Sequence, residues 1–204
     1  HSNYSGFWHT DQVQHGTHVA GTIAAIENDS GVIGVVKNGN LDIYVQKLSN
    51  GQPGNNIRIS HELEAMEVCA NQGADVVSMS FGGSTPYHSV NEVIDRLTER
   101  GVLFIAAAGN HGRKVPQSVC DRQPTPAQKT ACENAHKAQH FPASYHNVMS
   151  VANINKNKQK AASSPINSAI EVAAPGTNVL SAAAIPYDIF SLKVANVPAA
   201  VAHT

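Results

Sequence analysis

The run VLFIAAA at residues 102–108 limits the choice of fold more than any other feature of the chain. It stands between Gly101 and Gly109, is too short for an ordinary helix, and reads as a strand buried on both faces. Immediately before it, residues 89–100 place Val90, Val93, Ile94 and Leu97 on one helical face, with Gly101 as the stop. Residues 74–80 form a second short apolar strand that ends in Gly82-Gly83. Strand, helix and strand joined by short links require a crossover connection, and hence parallel strands. The expected class is α/β, a three-layer sandwich with a mainly parallel central sheet.

The remaining segments fit that class. Residues 14–26 read as a helix, with Val19, Ile23 and Ile26 recurring at three and four, closed by the turn residues Asn28-Asp29-Ser30-Gly31. Strands are expected at 32–36 and 41–48, the second alternating Leu41, Ile43 and Val45, before an exposed loop at 50–56. Ser60 opens a helix over 60–72 with Leu63, Met66 and Ala70 on one face, and Gly73 closes it. A polar insertion covers 112–140, and strands return at 148–154 and 169–173. From 183 onward the pattern has no clear period. The expected organisation is one domain over 1–182 and a stretch of uncertain identity at 183–204. With no initiating methionine, the chain is expected to begin inside a larger protein.

Composition narrows the function. The 204 residues are 42% hydrophobic and 14% charged, with a net charge of −1. That balance gives no electrostatic case for nucleic acid or an anionic membrane, and no apolar stretch is long enough to span a bilayer. Of three cysteines, Cys69 falls in the apolar pattern of the 60–72 helix and reads as a core thiol. Cys120 and Cys132 bracket a polar segment that a disulfide would close as a loop. A metal pair there is the rival, although the spacing matches no common zinc pattern.

The sharpest local signal is HGTHVAGT at residues 15–22. Two histidines three apart can hold a metal or be incidental. The helical zinc-protease motif needs a spacing of four and a glutamate beside the first histidine, and both are absent here. Four further segments follow in order: SMSFGG at 78–83, AAAGN at 106–110, FPASY at 141–145 and APG at 174–176. Together these resemble the subtilisin-like serine protease (subtilase) family, over roughly residues 12–182. The chain therefore looks like a partial catalytic domain over 1–182, incomplete at both ends, and the resemblance reads 183–204 as the start of a domain that some relatives insert there.

The resemblance implies roles residue by residue. His15 would be the general base, and Asn110 would hold the oxyanion of the tetrahedral intermediate. The two are expected to converge on one cleft. Ser80, Phe81 and Gly82 would form an edge to which substrate backbone adds as a strand. Ala107, Ala108 and Gly109 would line the primary specificity pocket and leave room for a sizeable apolar side chain. His18 would be structural. Without the resemblance, Asn110 is equally a turn residue, and the two segments are ordinary strand ends. The loop 26–32 is similar to one that holds a stabilising calcium in many relatives, through oxygens of Ile26, Asn28, Ser30 and Val32. As a plain turn it needs no ion, and no cofactor is required for the chemistry.

Two parts of the family pattern are missing. No Gly-Thr-Ser occurs in the sequence. Asp29-Ser30-Gly31 resembles the aspartate motif but follows His15, and Asp11 lies in the loop leading to the histidine helix. Loss of the serine alone costs about 10⁶ in turnover and of the aspartate about 10⁴, a scale set by a subtilisin and not by this chain. The chain alone is therefore expected to be inactive, as a fragment of a secreted serine endopeptidase acting on polypeptides. The alternative is a catalytically inactive peptide-binding homologue, and a zinc hydrolase built on His15 and His18 is a third.

Overall fold

The computed structural model describes residues 11, 13–37, 41–49, 57–112, 117–134, 139–183 and 200–203. These group into two compact units, 1–65 with 178–204, and 66–177. The 50–56 loop and most of the 183–204 stretch lie outside the described residues.

The second unit is built on a four-stranded sheet: β1 (Val76–Met79), β2 (Leu103–Ala107), β3 (Val148–Ile154) and β4 (Ile170–Pro175). The strands are neighbours in chain order, and every pair is parallel. Helix α3 (His88–Glu99) connects β1 to β2 and turns Val90, Ile94 and Leu97 inward, as its spacing predicts. Its partner face on β2 carries Phe104 and Ala106, both essentially inaccessible.

The expectation that 102–108 would be buried on both faces is corrected here. Leu103 on the opposite face keeps 42% of its surface, and Ala107 is exposed. A continuous apolar run shows what a strand tolerates, whereas burial depends on what covers each face. The residues that follow Met66 in α2 (Ile59–Asn71) are tied to α3 by ion pairing of Arg96 with Glu67 and a 3.0 Å bond from Arg100 to Asn71.

The polar insertion holds two short helices, α4 (Gln117–Cys120) and α5 (Pro126–Asn134), joined by a disulfide between Cys120 and Cys132. The expected pairing is therefore the one observed. Cys69 is a free thiol, partly buried, and burial pushes its pKa up.

In the first unit, α1 (His15–Ala24) packs on β5 (Val179–Ala182), which pairs antiparallel with β6 (Ala200–His203). The contact is close enough to demand a glycine. A Cβ on Gly21 would meet Ser181 Oγ at 2.6 Å and Ala182 Cβ at 2.8 Å. The strands expected at 32–36 and 41–48 are not formed. For 32–36 the reason is visible: the N–H groups of Gly34, Val35 and Val36 bond to the carbonyls of Ala25, Thr22 and Ile23. The segment thus caps the carboxyl end of α1 and satisfies carbonyls that a helix end leaves open. Residues 41–48 pair with no strand among the described residues, and Leu41, Ile43 and Val45 stay 43–47% exposed.

Candidate active site

His15 is the first residue of α1, and its side chain is exposed. The helix start is fixed by Asp11. Its carboxylate accepts bonds from Gln14 N–H and Thr17 N–H, both at 2.8 Å, and from the Thr17 hydroxyl at 2.7 Å. Thr17 is the third residue of the helix, so Asp11 satisfies one of its unpaired amides and places negative charge at the positive end of the dipole. Burial alone would raise the Asp11 carboxyl, but the Thr17 and Gln14 bonds outweigh it and hold its pKa below the ordinary value. Both Asp11 oxygens thus serve the start of the helix that carries His15.

His18 is structural, as its motif position implies. Its Nε2 lies 3.0 Å from the Val179 carbonyl, and its own carbonyl accepts from Ser181 Oγ and Thr22 Oγ1. A ring nitrogen facing a carbonyl carries the proton and is unsuited to bind a metal there. Among the described residues no cluster of three metal-binding side chains occurs.

The other candidate residues belong to the second unit, at the carboxyl ends of β1 and β2. Pairing of Met79 with Ala106 makes the two strands leave the sheet side by side. Ser80, Phe81 and Gly82 follow one, and Ala107, Ala108, Gly109 and Asn110 follow the other. Loops at this end of a parallel sheet are the usual place for a binding site. Ser80, Phe81 and Gly82 have no backbone hydrogen bond among the described residues, whereas Gly83 exchanges two 2.8 Å bonds with Phe141. The segment is therefore anchored at one end and leaves open backbone beside it. Tyr145 adds a second anchor, donating its hydroxyl to the Tyr87 carbonyl at 2.9 Å while accepting from Tyr87 N–H at 2.7 Å.

Asn110 is exposed, and its amide has no partner among the described residues. The chain on either side is held: Ala108 N–H bonds to the Val151 carbonyl at 2.9 Å, and Gly112 N–H to that of Ser163 at 2.7 Å. Gly109 takes φ +106°, a conformation closed to most side chains, which turns the chain directly before Asn110.

In the loop 26–32, the Asn28 amide oxygen accepts from Ser30 N–H at 3.1 Å and Ser30 Oγ at 3.4 Å, while Glu27 pairs with Lys37. The implied calcium donors, Ile26, Asn28, Ser30 and Val32, are all neutral oxygens. The one side-chain oxygen among them already accepts from Ser30. On their own these four donors make an incomplete calcium site.

Sequence reasoning passed over one pair of groups. His140 is buried at 9% exposure, and its ring centroid lies 5.2 Å from that of exposed His111. Burial, and then the neighbouring His111, hold the His140 pKa below its ordinary value. The signal available was position: His140 directly precedes FPASY, and His111 directly follows Asn110.

Fold and sites together define an α/β protein whose candidate residues cluster at helix and strand ends. The Subtilase family model matches residues 4–199, and the chain belongs to that family. It is 32% identical to subtilisin DY of Bacillus licheniformis over 85% of this chain and 55% of that protein. It is 33% identical to subtilisin BL of Lederbergia lenta over 82% of this chain and 52% of that protein. The chain thus spans about half the length of these curated relatives. Among solved structures, the psychrophilic subtilisin-like protease Apa1 from Pseudoalteromonas sp. AS-11 superposes with a TM-score of 0.70 at 35% identity, over 87% of this chain and 36% of that one. The expected subtilisin-like α/β class with its parallel sheet is therefore the class found.

Proposed function

We propose that this chain supplies the general base and the oxyanion donor of a subtilisin-type serine endopeptidase acting on polypeptides. His15 takes the proton as the serine hydroxyl oxygen attacks the scissile carbonyl carbon. Asn110 donates its amide N–H to the resulting oxyanion, and His15 returns the proton to the amine as the C–N bond breaks. Water then repeats the sequence on the acyl-enzyme. Substrate backbone adds to the open edge at Ser80, Phe81 and Gly82, and the side chain preceding the cleaved bond sits against Ala107, Ala108 and Gly109.

The nucleophilic serine and the orienting aspartate are proposed to come from outside these 204 residues, so that the chain alone does not turn over. The observation that carries this reading is the side-by-side exit of β1 and β2, with open backbone after one and an unpartnered amide after the other. The disulfide accords with secretion, since such bonds persist in oxidising compartments. Calcium is proposed only as a structural ion completed by further oxygens; addition of a chelator is expected to lower Tm and leave kcat intact.

Expression of the full reading frame that contains this chain tests the proposal. The full-length protein is expected to react with a fluorophosphonate probe and cleave peptides. Asn110→Ala should lower kcat about 10²–10³-fold, the scale known from a subtilisin's own asparagine. A full-length protein that binds peptides and never labels is the inactive homologue instead.

A further inference from the structure

The small residues 107–109 imply an open pocket, yet the space beside Gly109 is occupied. A Cβ on Gly109 would meet His140 Cγ at 2.8 Å and Cδ2 at 2.9 Å. A Cβ on Gly82 would meet His140 Nε2 at 2.8 Å and Cδ2 at 2.9 Å. One imidazole is thus wedged between the segment proposed to bind substrate backbone and the segment proposed to line the side-chain pocket. It is held there from behind. The His140 N–H bonds to Ser144 Oγ at 3.1 Å, and the next residue, Phe141, is locked to Gly83 by two backbone bonds. Neither ring nitrogen has a hydrogen-bond partner among the described residues.

We propose that His140 is a specificity-determining residue, which narrows the pocket beside Gly109 and selects a substrate side chain with an uncharged hydrogen-bonding end, an amide before all. The inference rests on the peptidase reading above. A neutral imidazole offers one N–H donor and one lone pair. Burial and the nearby His111 favour the neutral ring, so it attracts a substrate carboxylate less than an imidazolium would. A large apolar side chain would meet the ring sterically and cover its nitrogens without replacing their contact with water, which is costly for a buried polar group. An amide both donates and accepts, and so can use either nitrogen. Sites that hydrogen-bond their substrate reject analogues lacking the group far more strongly than apolar pockets reject a change in size.

The test is the cleavage profile of the full-length enzyme on peptides that differ only in the residue before the cleaved bond. The wild type should favour glutamine or asparagine over leucine and phenylalanine by about tenfold or more in kcat/KM. His140→Phe keeps the ring's bulk and removes its nitrogens, so the amide preference should vanish while large residues stay excluded. His140→Ala opens the space, and leucine and phenylalanine should then gain. A wild type that prefers large apolar residues overturns the inference and leaves the peptidase reading standing. So do variants that fold, judged by melting, with a wild-type profile. An enzyme that cleaves none of the peptides, and never labels with fluorophosphonate, overturns the peptidase reading itself and this inference with it.

Discussion

Phe104 in β2 is fully buried, while Ile43, in a run with similar apolar character, keeps 45% of its surface. Both segments carry side chains suited to a strand. What separates them is company: β2 has β1 on one side, β3 on the other and α3 on one face, whereas 41–48 pairs with no strand among the described residues. A strand is stabilised by its neighbours more than by its own composition. The largest expected effect follows directly. Phe104→Ala should cost about 3–5 kcal/mol in urea unfolding, and Ile43→Ala about 0.5 kcal/mol or less, because exposed sites lose little. Equal costs would erase the contrast. They would mean that 41–48 is covered in solution.

The same contrast explains how much of the molecule the sequence made legible. Helix α3 and strands β1, β2 and β3 fall within about two residues of expectation, because their periodicity coincides with local partners. The expected strand at 32–36 failed because its amides serve the carboxyl end of α1, a tertiary use that no period encodes. For the candidate site, motif order singled out His15, Asn110 and the two loop segments, whose roles are proposals. His140 escaped because its closeness to Gly82 and Gly109, residues distant from it in sequence, is set by the fold.

Glu62, in the first turn of α2, sharpens the comparison from the side of charge. It is 6% exposed, and burial pushes its pKa up to about 7 from an ordinary 4.5. A carboxyl with a raised folded-state value is bound to its proton more tightly in the native chain. Its contribution is therefore complete below about pH 4.5 and is lost as pH rises through 7. Between pH 5 and 8 the wild type should lose on the order of 3 kcal/mol relative to Glu62→Gln, whose uncharged side chain is indifferent to pH. Parallel stability curves for the two proteins would place Glu62 in water.

The disulfide occupies the opposite kind of region, a polar excursion with little core. Cys120 is itself inaccessible, but α5 has no buried residue. Closing a loop of sequence separation 12 should contribute about 2–3 kcal/mol, mainly by restricting the unfolded chain. Cys132→Ser is thus expected to lower Tm, while the sheet unfolds with its cooperativity intact. Hydrogen exchange would show faster amides confined to 117–134 before any change in β2 or β3.

The smallest effect separates stability from positioning. Asp11→Ala removes the acceptor of the Gln14 and Thr17 amides and of the Thr17 hydroxyl, and should cost about 1–2 kcal/mol. Asp11→Asn keeps an oxygen and loses charge at the helix start, so its cost should be smaller. Because the carboxyl pKa is held low by these bonds, the wild-type advantage is present above the ordinary carboxylate range and fades as acid protonates Asp11. His15 begins the same helix turn. If the cap also aims the imidazole, the full-length enzyme carrying Asp11→Ala should lose kcat with KM little changed, and Asp11→Asn should recover most of it. If kcat follows only the fraction of folded protein, the carboxylate holds the helix together without directing the base.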